Sequence, residues 1–70
     1  MERQRVSSSN LHSVGYDPDS MVLEIKFLSS GIYQYSGVPE DRYSGLMRAG
    51  SKGGYFDSYI KNRYSTRKVG

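Results

Sequence analysis

The chain of 70 residues contains no cysteine, no tryptophan, two prolines and one histidine. Without thiolates there is no disulfide framework, and with a lone histidine there is no His/Cys metal cluster. The longest uninterrupted apolar run, Met21-Val22-Leu23, is three residues, far short of the roughly 20 that a membrane-spanning helix needs. The opening Met1-Glu2-Arg3-Gln4-Arg5-Val6 runs into Ser7-Ser8-Ser9-Asn10, where a secretory signal would continue with an apolar segment. A soluble cytoplasmic protein without a membrane partner, metal or cofactor is the expectation. A chain this short buries only about 60% of the surface its unfolded form exposes. Its core is therefore thin, and a multi-domain enzyme is excluded.

Two features stand out against these absences. Tyrosine is abundant, seven residues against two phenylalanines. The second feature is an asymmetry of charge hidden in a formal net +3. Residues 1–47 carry four basic and six acidic side chains. Residues 48–70 carry Arg48, Lys52, Lys61, Arg63, Arg67 and Lys68 against Asp57 alone. Such a local excess steers polyanions toward one end of a molecule, although a solvated face with a solubilising tail has the same composition.

Strand signals come first along the chain. Asp17-Pro18-Asp19-Ser20 reads as a turn, and Ser29-Ser30-Gly31 as a three-residue hairpin loop. Between them, Met21, Leu23, Ile25 and Phe27 alternate with Val22, Glu24, Lys26 and Leu28, the pattern of a half-buried antiparallel strand. Ile32-Tyr33-Gln34-Tyr35-Ser36 follows. With Leu28 opposite Ile32, Phe27 faces Tyr33 and Ile25 faces Tyr35, so both tyrosines join the apolar face. Before the first turn, Val14 and Tyr16 fall opposite Leu23 and Met21. Leu11 has the wrong parity for that face, which predicts a bulge near Ser9–Ser13.

Helical signals begin at Pro39, with Glu40 and Asp41 placed for the positive end of a helix dipole. Tyr43, Leu46 and Met47 form an apolar stripe, and Gly50 marks the stop. Ser51 is placed to cap a second helix running to about Tyr64. Phe56, Ile60 and Tyr64 centre its buried side, with Tyr55 and Tyr59 at one edge. Arg63 falls inside that arc, as a core strut or as a contact to a ligand. Ser65 to Gly70 reads as a frayed basic tail.

Catalysis is not expected. Ser7-Ser8-Ser9 lies near His12, but a serine nucleophile also needs a positioned base and an oxyanion donor. Gly50-Ser51-Lys52-Gly53-Gly54 has two readings, a phosphate cradle at a helix start or a tight helix–helix connection; the spacing is not that of a Walker loop. Tyr16, Tyr33, Tyr35 and Tyr43 are expected to wall the core, with hydroxyls finding polar partners at its edge. Tyr55 and Tyr59 are placed either to stack bases beside Lys52 and Arg63 or to fill the core.

The succession Ser8-Ser9-Asn10-Leu11, Val14-Gly15-Tyr16-Asp17, Leu23, Phe27, Gly31 and the central Tyr33-Gln34-Tyr35 resembles the KTSC domain. The likeness continues through Gly37-Val38-Pro39, Tyr43, Leu46, Ala49 to Ser51, Gly53, Tyr55-Phe56, Ile60-Lys61 and Tyr64. This family is named for its occurrence at the C-terminus of some lysyl-tRNA synthetases and includes stand-alone bacterial and phage members. Gly50 and Asp57 depart from its usual pattern. The resemblance implies RNA binding and no catalytic residue.

Together these readings predict one KTSC-like α+β domain over residues 7–69, with residues 1–6 flexible. Its expected form is a three-stranded antiparallel β-meander followed by two C-terminal α-helices packed on one face. The function expected is a non-enzymatic, monomeric binding module for tRNA or single-stranded RNA. Arg48, Lys52, Lys61, Arg63, Arg67 and Lys68 would meet phosphates, and Tyr55 or Tyr59 would stack. The alternative is a protein–protein adaptor using an exposed sheet face or edge through Val22, Leu28 and Ile32.

Overall fold

The computed structural model describes all 70 residues. Five strands, β1 (Gln4–Arg5), β2 (Leu11–Asp17), β3 (Val22–Phe27), β4 (Gly31–Ser36) and β5 (Ser65–Lys68), form one antiparallel sheet in the order of the chain. Helices α1 (Glu40–Arg48) and α2 (Lys52–Tyr59) lie between β4 and β5 in sequence and cover one face. The α+β class and the central meander are as the sequence predicts, but the sheet has five strands where three were expected. Gln4–Arg5 pairs with Val14 and Ser13, and Ser65–Lys68 pairs along β4. The supposed frayed tail is therefore a strand. Both added strands are short, polar edges rich in cations, a composition that discourages pairing with another sheet.

The hairpin registers are each shifted by two residues from the expected ones. Tyr16 faces Leu23, Val14 faces Ile25, Ile25 faces Tyr33 and Leu23 faces Tyr35. Met21 adopts a left-handed φ of 57° and belongs to the first turn, so β3 begins one residue later. Gly31, with φ 103°, opens β4 opposite Phe27 and leaves Leu28-Ser29-Ser30 as the loop. Side chains alternate with a period of two, so this slip leaves every residue on its expected face. The bulge falls at His12, where the register jumps from Leu11↔Phe27 to Ser13↔Lys26. It returns Leu11 to the buried side.

The core is a single cluster of Leu11, Val14, Leu23, Ile25, Tyr35, Val38, Leu46, Phe56 and Ile60. Phe56 meets Phe27 and Tyr35 edge-on, with centroids 5.3 and 5.5 Å apart; each such pair adds about 0.5–1.5 kcal/mol beyond the area it buries. Tyr16 stacks on Tyr43 at 4.8 Å and donates from its hydroxyl to the Val38 carbonyl at 2.6 Å, tying the start of α1 to the sheet. Ser51 caps α2 by accepting from the Gly54 N–H at 3.2 Å. The helix ends at Tyr59, a turn earlier than predicted, because Ile60 leaves helical geometry and Asn62 turns left-handed at φ 63°.

The other face of the sheet carries no helix. One row across it runs from Arg3 past Gly15 to Glu24, Gln34 and Arg67. Gly15 has no side chain, and the Arg3 stem lies 3.2 Å from where its Cβ would stand. Arg3 thereby reaches across β2 to Glu24, with Nη1 2.6 Å from Oε2, while Gln34 donates to Oε1 at 2.8 Å. Arg3 Nε also donates to Ser13 Oγ at 3.1 Å. Burial opposes ionisation of Glu24, but the hydrogen bonds from Gln34 and Arg3 outweigh it and hold the carboxyl below the usual range.

Candidate functional site

The cations of residues 48–70 do not form one continuous patch. Arg48 ends α1, where its charge suits the helix C-terminus. Lys61 and Arg63 are exposed in the turn that follows α2. Arg63 is outside the helix, so the predicted core-strut role does not arise; its Nε donates to the Ser58 carbonyl at 3.0 Å. Arg67 and Lys68 are consecutive in β5 and so point to opposite faces. Arg67 stands opposite Gln34 on the helix-free side, and Lys68 stands opposite Tyr33 on the helix side. The one ion pair in the protein is Arg3–Glu24. None of the six cations between residues 48 and 70 has a carboxylate within 4.0 Å.

The Gly50–Gly54 segment packs against the serine-rich stretch. Ser7, Ser8 and Ser9 line a cleft of about 140 Å³ with Gly50, Ser51, Lys52 and Gly53. Its donors are largely engaged within the protein. Ser51 caps Gly54, and the Lys52 ammonium donates to the Ala49 carbonyl at 3.1 Å, at the end of α1. A Cβ at Gly53 would stand 2.9 Å from Asn10 Nδ2. Close packing thus accounts for this glycine, and the helix–helix connection explains the motif better than a phosphate cradle. Ser8 Oγ accepts from the N–H groups of Asn10 and Leu11, both at 3.2 Å. His12 meets the buried Ser13, whose Oγ lies 3.0 Å from Nδ1 and also accepts from Arg3. No exposed serine is paired with the histidine as a nucleophile would be.

Tyr55 and Tyr59 separate in role. Tyr55 is half-buried between the helices, its hydroxyl packed on Gly45 so closely that a Cβ there would collide with it. Tyr59 is 43% exposed. Its ring meets that of Tyr55 at 4.7 Å with a 43° tilt, and the Arg42 guanidinium lies 4.8 Å from its centroid. Hydrogen bonding to Tyr55, then to Tyr64, favours the charged form of Arg42. The result is a cationic and aromatic cluster on the helical layer, next to the turn that carries Lys61 and Arg63. Sequence reasoning missed Arg42, which lies in the acidic half of the chain. The available signal was Gly45, a helix-interior glycine that marks a close contact three residues along the same helix.

The helix-free face is also basic. Arg5 and Lys26 flank Ser13 in one cross-strand row, and Arg67 lies in the next. Desolvation, with the charges of Arg5, Lys26 and Arg3, pushes His12 below its ordinary pKa. No aromatic side chain belongs to this face. Val22 and Ile32 are half-buried within it, and Leu28, 55% exposed, sits in the β3–β4 turn.

Comparison with known proteins gives a consistent match. A family model described as the KTSC domain matches residues 7–64. An uncharacterised protein of Stutzerimonas stutzeri is 38% identical over 64 residues, covering 91% of this chain and 90% of that protein. A protein of Tsukamurella paurometabola is 33% identical over 61 residues, covering 87% of this chain and 91% of its own length. The crystal structure of a KTSC domain protein from Yersinia pestis superposes with a TM-score of 0.97 at 52% identity, covering 99% of this chain and 97% of that one.

Proposed function

The chain belongs to the KTSC domain family, and on that premise we propose that it is a non-enzymatic RNA-binding module acting as a monomer in the cytoplasm. The observation that carries this reading is the set of six cations between residues 48 and 70 without a carboxylate partner. Cations whose charge no carboxylate neutralises are available to displace the counterions condensed on a nucleic acid, the main sequence-independent source of affinity.

The helical side is the favoured surface. Lys61 and Arg63 contact phosphates beside the Tyr59–Arg42 pair, whose exposed ring edge and guanidinium plane receive an unstacked base. The helix-free face offers Arg5, Lys26 and Arg67 to phosphates but no aromatic on which to stack a base. Arg48 extends the helical surface, whereas Lys52, engaged with Ala49, contributes least. The adaptor alternative has less support, because Val22 and Ile32 are half-covered within a polar face.

Fluorescence anisotropy with tRNA and with single-stranded RNA, at low and moderate salt, tests this reading. Affinity for single strands should fall with a log–log slope of about −0.7 per phosphate contacted. A paired Lys61→Gln and Arg63→Gln change should reduce both the affinity and the slope. Absence of binding to either RNA at low salt would reject the proposal.

A further inference from the structure

Tyr33 and Tyr35 alternate with Gln34 along β4, so both rings lie on the helix side of the sheet. With Phe27 and Phe56 they wall a cleft of about 380 Å³ beyond the C-terminal end of α2, and Lys61, Asn62 and Thr66 supply its polar lining. A volume of several hundred Å³, largely aromatic walls and a few converging polar groups suit a small organic ligand.

One polar group of the cleft has no partner within the protein. Tyr35 is only 4% exposed, its hydroxyl makes no hydrogen bond inside the protein, and since no buried side-chain polar atom lacks a partner, that hydroxyl opens onto the cleft. No contact within the protein depends on this hydroxyl, and phenylalanine would fill the same space. Tyr16, the other tyrosine deep in the sheet, has the Val38 carbonyl at 2.6 Å. Burial, helped by the neighbouring Tyr33, raises the Tyr35 phenol to about 12. Its hydroxyl therefore stays protonated at neutral pH, a donor whose acceptor comes from outside the protein.

The ligand's chemistry follows from the lining. Four aromatic rings favour a planar ring system. The Tyr35 hydroxyl and the Asn62 amide offer hydrogen bonds to its polar edge. Lys61 calls for an anionic substituent, and Lys68, beside Tyr33 on the same face, reinforces it. A smaller groove of about 230 Å³ shares Phe27, Ser30 and Phe56 with the cleft and leads to Asp57. That carboxylate disfavours an anion on its side and directs the charged end toward Lys61.

We propose that this cleft binds one nucleoside monophosphate unit, with the base against the tyrosines and the phosphate at Lys61. The unit is either a free nucleotide or one nucleotide of an RNA strand; only the second source rests on the RNA-binding reading above.

Ring and amide NMR spectra of the full chain, titrated with AMP, CMP, a short single-stranded RNA and inorganic phosphate, test the proposal. The mononucleotides should shift Tyr33, Tyr35, Lys61 and Asn62 at low-millimolar concentration, and phosphate alone should not. Tyr35→Phe should weaken nucleotide binding about fivefold to tenfold, the equivalent of one hydrogen bond, without lowering the unfolding temperature. Lys61→Gln, a surface change, should weaken it independently. No cleft shift with either mononucleotide would overturn the proposal, as would unchanged affinity in Tyr35→Phe. RNA bound equally well by Tyr35→Phe would sink the cleft while leaving the RNA reading intact. Mononucleotide binding without RNA binding would do the reverse.

Discussion

Glu24 and Tyr35 occupy adjacent strands of one sheet, point to opposite faces and are almost equally hidden, at 5% and 4% exposure. On the helix-free face, both oxygens of Glu24 are bonded, one by Arg3 and the other by Gln34, and the arginine reaches it only because Gly15 leaves room. On the helix side, the Tyr35 hydroxyl has no partner within the protein and opens onto the cleft. The contrast shows that burial of a polar group does not by itself mark a functional position. A satisfied group such as Glu24 is part of the architecture. The Tyr35 hydroxyl contributes no bond to the architecture and is left free to bond what enters the cleft.

The contrast can be broken or sharpened by mutation. The largest effect is expected where the helix layer meets the sheet. Ile60→Ala, at a fully buried site, should cost about 2–4 kcal/mol in urea unfolding. A loss below about 1 kcal/mol would mean that apolar packing does not hold the helices in place.

Next comes the helix-free face. Arg3→Met leaves the Glu24 charge without its cation and should cost about 1–3 kcal/mol. This lies below the range for a wholly buried pair because Arg3 is 24% exposed. Adding Glu24→Leu to Arg3→Met should return much of the loss, since the isolated charge and not the missing contact is responsible. A double variant no more stable than Arg3→Met would contradict that.

The same pair sets part of the response to acid. The folded-state pKa of Glu24 lies below its ordinary 4.5, so its contribution is fully present above that pH and is lost as pH falls through the folded value. Unfolding free energy measured against pH should therefore fall less steeply below about 4.5 in Glu24→Gln than in the unsubstituted chain. Asp17, lowered by bonds from Ser20 and the Asp19 N–H, contributes the same sign in both proteins and cancels from the difference. Equal slopes would remove Glu24 from the acid response.

Much of this architecture was legible in the sequence. Alternation through Leu23, Ile25 and Phe27, with Tyr33 and Tyr35 in parity, assigned both faces correctly even though each hairpin closes two residues away from its expected place. The irregularity at His12 and the Ser51 cap were also readable. Gln4–Arg5 and Ser65–Lys68 were not, because all their side chains are exposed and backbone pairing alone makes them strands. The end of α2 depended on the left-handed turn at Asn62, a conformation asparagine tolerates but does not announce. At the candidate site, the cations were visible as a count, but their division between two faces by β5 was not. Arg42 was signalled only indirectly, through the helix-interior Gly45, and the cleft depends on long-range packing that no local pattern encodes.

The smallest expected effect is the most informative. Thermal unfolding of Tyr35→Phe beside Tyr16→Phe compares a phenol without a partner to one bonded to the Val38 carbonyl. Tyr16→Phe should lose about 1 kcal/mol, a fall of roughly 4–8 °C for a domain of this size. Tyr35→Phe should unfold at the same temperature or higher. If Tyr35→Phe fell as far as Tyr16→Phe, its hydroxyl would have a structural partner after all, and the case for a ligand in the cleft would collapse.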